Sequence, residues 1–135
     1  MRVWDELRVP IVNEVDVVEA RRSGRQLAAE LGFGLSDQAL IATAISELAR
    51  NILQYAKRGE LIIGIAHNGG RKGIDVVALD HGPGIPDPEK AMRDGYSTGS
   101  GLGLGLPGTR RIMDEFELDT EVGRGTRVAV KKWAP

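Results

Sequence analysis

The hydrophobic pattern changes its period several times along the chain, and the first change predicts a strand followed by a helix. In residues 7–15 (LRVPIVNEV) apolar side chains alternate with other residues, which is typical of a strand with one buried face. Pro10 lies in this segment, and proline is confined to the edges of sheets, so we predict an edge strand. Asp16 is the predicted N-cap of the following helix, with Glu19 as its capping-box partner.

This first helix is predicted to end near Leu31, because Gly32 and Gly34 follow it. Its buried stripe consists of small or apolar residues at helical spacing: Val17, Ala20, Gly24, Leu27 and Leu31. Its other side is charged and carries Glu19, Arg21, Arg22, Arg25 and Glu30. These charges fit either a solvated face or a surface that binds a partner protein.

A second helix is predicted over about residues 36–56, with Ser36 as its N-cap. Its core stripe is formed by Ile41, Ile45, Leu48 and Ile52. A different face carries Thr43, Glu47, Asn51 and Gln54. Glu47 and Asn51 are therefore stacked one turn apart. Taken alone, this spacing indicates an ordinary polar face.

The remainder of the chain predicts two antiparallel hairpins separated by a loop and a helix. The strands cover residues 60–67 and 73–80, joined by the turn 68–70, and then 117–122 and 126–133. Residues 86–94 could form a short helix, and Pro107 suits the first turn of another, whose buried side would be Leu106, Ile112, Met113 and Phe116. The order β-α-α-β-β-α-β-β predicts an α/β sandwich of two layers, with three main helices on one face of a mixed, mostly antiparallel sheet.

Length and charge narrow the class of protein. The 135 residues suit one domain, 1–135, with a single core. The net charge of −1 lacks the basic surplus that is usual for proteins that bind nucleic acid. No apolar run approaches the roughly 20 residues of a membrane span, and the absence of cysteine fits a cytoplasmic protein. We therefore expect neither nucleic acid nor membrane as a partner.

Residues 80–108 (DHGPGIPDPEKAMRDGYSTGSGLGLGLPG) contain the densest glycine pattern in the chain. A flexible surface loop would explain it, but glycine-rich loops that lead into a helix also bind phosphate through backbone N–H groups. No Gly-Lys-Ser/Thr ends the segment, so it is not a Walker loop. Gly103, Gly105 and Gly108 satisfy G-x-G-x-x-G, but the preceding residues 95–100 are not the apolar strand that a dinucleotide-binding fold requires.

Asp80 continues the apolar face of its predicted strand, after Ile74, Val76 and Ala78. A carboxylate in that position is costly unless a donor hydrogen-bonds it. It could be the cap of a turn. It could equally accept from a ligand that carries N–H groups.

Four short motifs occur in a fixed order and cover most of the chain. They are 47–51 (ELARN), 80–84 (DHGPG), 101–105 (GLGLG) and 123–126 (GRGT). These resemble the N, G1 and G2 boxes and the final motif of the GHKL superfamily of ATPases and kinases. With ISELARNI, GPGIPD, STGSGLGLGLPG and MDEF, the chain more closely resembles the RsbT-type serine/threonine switch kinases of the bacterial stressosome. The resemblance implies the Bergerat ATP-binding fold.

The resemblance also implies a role for individual residues. Asp80 would accept a hydrogen bond from the adenine amino group, Thr126 would bond nearby, and Gly82 and Gly84 would let the backbone pass close under the base. Asn51 would coordinate Mg²⁺ and Glu47 would be the general base. The G2 box would present its N–H groups to the ATP or ADP phosphates through Gly101, Leu102, Gly103, Leu104 and Gly105. Residues 86–100 would form a nucleotide lid.

The implied activity is phosphorylation of a serine on STAS-domain antagonist or scaffold proteins of the RsbS and RsbR kind. Once released, such a kinase activates a PP2C-type phosphatase of the RsbU kind, in a partner-switching stress response. Arg21 matches an arginine that related anti-sigma kinases use against their STAS partner. Two alternatives remain, namely an anti-sigma factor that sequesters a sigma subunit and a stand-alone ATPase.

Overall fold

A computed structural model describes residues 6–93 and 105–135, and its elements follow the predicted order. Five strands and four helices lie in these ranges: β1 Glu6–Ile11, α1 Glu14–Glu30, α2 Leu35–Tyr55, β2 Gly59–Asn68, β3 Arg71–Asp80, α3 Pro88–Ala91, α4 Gly105–Ile112, β4 Glu115–Glu121 and β5 Gly125–Trp133. Nowhere in these ranges is a helix both long and apolar enough to cross a membrane.

The strands form one sheet in the order β1-β2-β3-β5-β4. The predicted two-layer α/β sandwich is confirmed, with one difference: all four pairings in the described chain are antiparallel, so this sheet is not mixed. The connection between β1 and β2 explains the difference. Two consecutive helices that pack on one another connect these strands, so the chain reverses three times, and an odd number of reversals leaves β2 antiparallel to β1.

The boundary between β1 and α1 lies earlier than the sequence predicted. The strand ends at Ile11, and Asn13, not Asp16, is the N-cap. The Asn13 side chain accepts from the Asp16 backbone N–H at 3.2 Å, and the Asp16 carboxylate accepts from the Asn13 N–H at 3.2 Å. Asp16 is thus the acidic member of the capping box, the place that the prediction gave to Glu19. Pro10 lies at the sheet edge as predicted.

The start of α2 also differs from the prediction, whereas its core stripe is confirmed. Gly34 is the N-cap and makes no side-chain cap, so Ser36 lies inside the first turn. Ile41, Ile45, Leu48 and Ile52 are each at most 1% exposed. This helix is buried from several sides, because it packs on α1, on α4 and on the strands β1, β2 and β3.

The contact between α1 and α2 depends on Gly24. A Cβ atom at this position would collide with the Cδ1 atom of Ile45. The missing side chain therefore lets the two helices approach closely, and it explains why a glycine is tolerated in a helix interior that it would otherwise destabilise.

The two helices that precede the second hairpin, α3 and α4, are shorter than predicted. The helix predicted over 86–94 is a single turn, α3, which Asp87 caps by accepting from the Lys90 N–H at 3.1 Å. Leu106 and Met113 are buried as predicted, but Phe116 lies in β4 and not on the helix, because α4 ends at Ile112.

The turn between β2 and β3 has positive φ at Gly69 and Gly70, as two-residue hairpin turns require.

Candidate active site

A pocket opens at the end of the sheet where β3 stops, between the helices and the loop that follows β3. Helix α2 contributes Leu48, Asn51, Ile52 and Tyr55. The sheet contributes Ala78, Asp80, Thr126 and Val128, and the loop and the next two helices contribute Gly84, Ile85, Pro86, Ala91 and Leu106. The wall is mainly apolar with few polar groups, which is the usual composition of a small-molecule site.

Asp80 is the polar group at the end of the β3 wall. One carboxylate oxygen, Oδ1, accepts from the Gly82 N–H at 2.9 Å. Its other oxygen makes no hydrogen bond within the described residues. The two interpretations of this carboxylate are therefore compatible, since it caps the turn with one oxygen and its other oxygen has no partner within the described residues.

Gly82 and Gly84 carry the backbone through places where a side chain would not fit. A Cβ at Gly82 would lie 2.5 Å from the Ala56 Cβ. Gly84 has a φ of 79°, and a Cβ there would collide with the Glu121 carbonyl oxygen. The loop is fastened to the β4–β5 turn, where the Gly123 N–H donates to the Pro83 carbonyl at 2.9 Å. The loop therefore packs closely between the end of α2 and the β4–β5 hairpin.

Thr126 lies directly opposite Asp80 across the β3–β5 pairing. Its hydroxyl oxygen lies 2.9 Å from that of Thr120, which is its cross-strand partner on β4. Thr120 Oγ1 also accepts from the Ile85 N–H at 2.8 Å. The polar end of the pocket is thus supported by hydrogen bonds that join β5, β4 and the loop after β3.

Glu47 and Asn51 lie one turn apart on α2, and each has an unsatisfied oxygen; of the two, Asn51 is the one that lines the pocket. Glu47 is only 2% exposed. Its Oε2 atom and the Oδ1 atom of Asn51 are buried and have no hydrogen-bond partner in the described chain. A buried acceptor without a donor costs roughly 1–3 kcal/mol. Such oxygens are suited to a cation or to a hydroxyl donor.

Arg50 is the cation beside this pair. Its Nη1 atom lies 3.9 Å from Glu47 Oε1 and its side chain is 27% exposed. A buried carboxylate needs a counter-charge, and Arg50 supplies one on the side of Oε1. Oε2 is therefore the oxygen that remains without a partner in the described residues.

The structure brings together only some of the residues predicted from the motifs. Asn51, Asp80, Gly84 and Thr126 line the pocket, and Gly82 adjoins Asp80. Gly105 begins α4 beside the pocket-lining Leu106, with a φ of 65°. The other members of the predicted phosphate loop (Gly101, Leu102, Gly103 and Leu104) lie outside the described residues, as does the lid beyond Arg93.

Arg21 does not line the pocket. It lies on α1, is partly buried, and makes no hydrogen bond or ion pair with any part of the chain that the structure describes. Its neighbour Arg22 instead pairs with Glu19 at 2.7 Å. Of the three arginines on the charged side of α1, Arg22 is therefore engaged, whereas Arg21 and Arg25 make no hydrogen bond or ion pair within the described residues.

The sequence analysis missed Thr120, Tyr55 and Arg50. Thr120 lacks a motif of its own, and only its strand register opposite Thr126 could have indicated it.

A separate cavity lies on the sheet face away from the helices, and Asp75 is one of its lining residues. Burial raises the pKa of the Asp75 carboxyl, although the positive charges of Lys131 and Arg127 act to lower it. Asp75 alternates with the core residues Ile74 and Val76, so it is not part of the pocket.

Comparison with known proteins identifies similar chains. The chain is 54% identical over 129 residues to the serine/threonine-protein kinase RsbT of Bacillus subtilis (strain 168), covering 96% of this chain and 97% of that one. It is 34% identical over 119 residues to an anti-sigma F factor of Thermoanaerobacter sp. (strain X514), covering 84% and 82% of the two chains.

A solved structure and a family match extend the comparison. The crystal structure of the RsbU and RsbW domains of Rv1364c from Mycobacterium tuberculosis superposes with a TM-score of 0.65 at 19% identity, over 96% of this chain and 33% of that one, which shows a shared fold. Residues 36–134 match the family described as histidine kinase-, DNA gyrase B-, and HSP90-like ATPase. The similarity to RsbT-type kinases expected from the motifs is confirmed, and the chain belongs to this ATPase family.

Proposed function

We propose that residues 1–135 form one ATP-binding domain that acts as a protein serine/threonine kinase. The observation that carries the proposal is the pair of unsatisfied buried oxygens one turn apart on α2, Glu47 Oε2 and Asn51 Oδ1, of which Asn51 lines the pocket. Membership of the ATPase family and the similarity to a serine/threonine-protein kinase support it. The proposal includes a cytoplasmic location.

The residues present suit ATP with Mg²⁺. Asp80 keeps one oxygen free at the polar end of the pocket, and the apolar residues of α2 and the sheet suit a purine ring. Asn51 offers an oxygen, the ligand atom that Mg²⁺ prefers. When bound, Mg²⁺ and ATP supply the phosphoryl group and neutralise its charge. Asp80, Thr126, Gly82 and Gly84 would hold the base, and Asn51 the metal.

Glu47 would act on the acceptor hydroxyl. Its Oε2 atom carries no hydrogen bond and so can accept the serine proton as the new P–O bond forms. Arg50, near Oε1, keeps the negative charge compensated while the carboxylate remains buried. Phosphoryl transfer depends mainly on positioning and on electrostatic stabilisation, so this small set of residues suffices.

We propose STAS-domain proteins of the RsbS and RsbR kind as the acceptors and a PP2C-type phosphatase of the RsbU kind as the protein activated afterwards. The overall similarity to RsbT supports these partners. The test is transfer of labelled phosphate from ATP to purified STAS proteins. We expect label on a serine of the STAS protein, and none when the reaction lacks Mg²⁺. Phosphate released to water without a partner would instead indicate a stand-alone ATPase.

An anti-sigma factor is the second candidate, because the chain is also 34% identical to an anti-sigma F factor. The two functions predict different partners. If a sigma subunit were retained by this protein in a pull-down and no STAS protein were phosphorylated, the kinase proposal would be replaced by this one.

Arg21→Ala is expected to weaken binding of the STAS partner by at least about 1 kcal/mol and to leave the affinity for ADP unchanged. The reason is that Arg21 has no partner within the described chain, and arginine binds carboxylates with two parallel hydrogen bonds. Titration calorimetry measures both affinities. Arg8→Ala is the matched control, because it removes an exposed arginine from β1. Equal binding by wild type and Arg21→Ala would show that this part of α1 is only solvated.

A further inference from the structure

We propose that Thr120, which does not line the pocket, raises the affinity for nucleotide by holding the loop after β3 in place through the Ile85 amide. The inference rests on the proposed function, because it takes the pocket to be the nucleotide site. It adds a positioning residue that lies outside the four motifs.

Thr120 is a polar residue at the end of an apolar strand face. Side chains along a strand alternate between its two faces, so Thr120 shares a face of β4 with Phe116 and Leu118, which pack against the core. Its cross-strand partner on β5 is Thr126, which lines the pocket. The Thr120 hydroxyl therefore lies at the pocket end of the sheet, next to a residue of the pocket wall.

The loop after β3 forms another part of that wall. Gly84, Ile85 and Pro86 all line the pocket. Residues 81–87 belong to no helix or strand, so no regular ladder of hydrogen bonds holds them. Pro83 and Pro86 also have no N–H to donate. The position of this part of the wall therefore depends on a few individual contacts.

Two hydrogen bonds among the described residues fasten this loop to the β4–β5 hairpin. The Gly123 N–H donates to the Pro83 carbonyl at 2.9 Å, and the Ile85 N–H donates to Thr120 Oγ1 at 2.8 Å. The first bond joins two backbone groups and does not depend on a side chain. The second bond forms only when residue 120 carries an acceptor. Its direction is fixed, because the donor is a backbone N–H.

Loss of the Thr120 hydroxyl would leave the Ile85 N–H without its acceptor. A backbone N–H that is withdrawn from water and unpaired is costly, so the loop would shift until this group reached water. The shift would displace Ile85 and Pro86 from the pocket wall. Glu47 and Asn51 would keep their places, because they lie on α2. Nucleotide binding would therefore weaken, whereas the transfer step would not change.

The experiment uses Thr120→Val, which keeps the branched shape of the side chain and removes its hydroxyl. We expect the dissociation constant for ADP, measured by calorimetry, to rise about three- to tenfold, the range for one hydrogen bond. The KM for ATP should rise with it, while transfer to a STAS protein at saturating ATP stays at the wild-type rate. Thr120→Ser should restore both values. Thr43→Val, which removes an exposed hydroxyl that bonds within α2, should change neither.

Two further measurements test the route of the effect. Without nucleotide, hydrogen exchange at the Ile85 amide should be faster in Thr120→Val than in wild type or Thr120→Ser, because only the valine lacks the acceptor. Thr120 Oγ1 also lies 2.9 Å from Thr126 Oγ1, so the substitution is repeated in a Thr126→Val background. We expect Thr120→Val to weaken ADP binding there by the same factor.

The remaining outcomes would each overturn the proposal. An unchanged dissociation constant in Thr120→Val would do so, even with a lower denaturation midpoint, because Thr120 would then only stabilise the fold. Unaltered exchange at Ile85, or an effect that disappears in the Thr126→Val background, would exclude the Ile85 amide as the route. If wild type bound no ADP, the nucleotide site and the proposed function would be wrong as well.

Discussion

Glu47→Gln is expected to lower the turnover of phosphoryl transfer about 10²- to 10⁴-fold, while ADP still binds. Glutamine fills the same buried volume as the 2%-exposed glutamate, but its amide cannot take the serine proton. A loose transition state would place the loss at the lower end of this range. Single-turnover transfer to a STAS protein under saturating ATP measures the chemical step, and calorimetry with ADP measures binding.

Asn51→Ala is the comparison that separates the two roles on α2. Asn51 would act through the metal, so its loss should abolish the Mg²⁺ dependence of nucleotide binding as well as lower transfer. Glu47→Gln should keep that dependence. The assignment is wrong if both variants lose nucleotide affinity equally and then transfer phosphate at the wild-type rate when saturated.

Asp80→Asn is expected to weaken ADP binding about 10- to 150-fold, which corresponds to the roughly 1.5–3 kcal/mol of a hydrogen bond to a charged group. The amide keeps the size of the carboxylate and can keep the turn bond from the Gly82 N–H. It replaces one acceptor of the pocket by a donor, which would oppose the amino group of adenine.

Asp75→Asn is the matched control for this variant. Asp75 is another aspartate of β3, but it faces the cavity on the other side of the sheet. We expect its replacement to leave ADP affinity unchanged. Titration calorimetry in the presence of Mg²⁺ decides the matter, since unaltered affinity in Asp80→Asn would remove Asp80 from the site. The denaturation midpoints of both variants show whether each remains folded.

Those parts of the fold that depend on side-chain period could be predicted from the sequence. The stripe on α2 from Ile41 to Ile52 is buried, and the strands alternate as expected, because helix and strand geometry dictate which positions share a face. The order of motifs alone also placed Asp80, Asn51 and Thr126 in one family pattern. Their arrangement around one pocket depends on the order of strands in the sheet, and the local sequence pattern does not reveal that order.

Element boundaries were less predictable, because neighbouring residues compete for the same role. Asn13 and Asp16 are both good N-caps, and strand-like alternation continued through Val15. The structure uses both residues in one capping box, which starts α1 earlier and shortens β1. A sequence pattern cannot rank two caps separated by one turn.

The burial of Glu47 could not be predicted from the sequence of its own helix, α2. The spacing of Glu47 and Asn51 alone indicates a polar face in water, yet Glu47 is buried because α2 is covered by α1, by α4 and by the sheet. Thr120 was missed for a similar reason. Its importance comes from its partners on β5 and in the loop after β3, which are set by strand pairing.

The pairing of Asp80 with Thr126 joins strands that are distant in sequence, so the pocket exists only in the folded chain. A ligand that binds only the folded state adds RT ln(1 + [L]/Kd) to the free energy of unfolding, about 2.7 kcal/mol when it is present at one hundred times its dissociation constant. Nucleotide would therefore act as a folding ligand as well as a phosphate donor. The supply of nucleotide would then govern how long the protein survives proteolysis, before any partner is engaged.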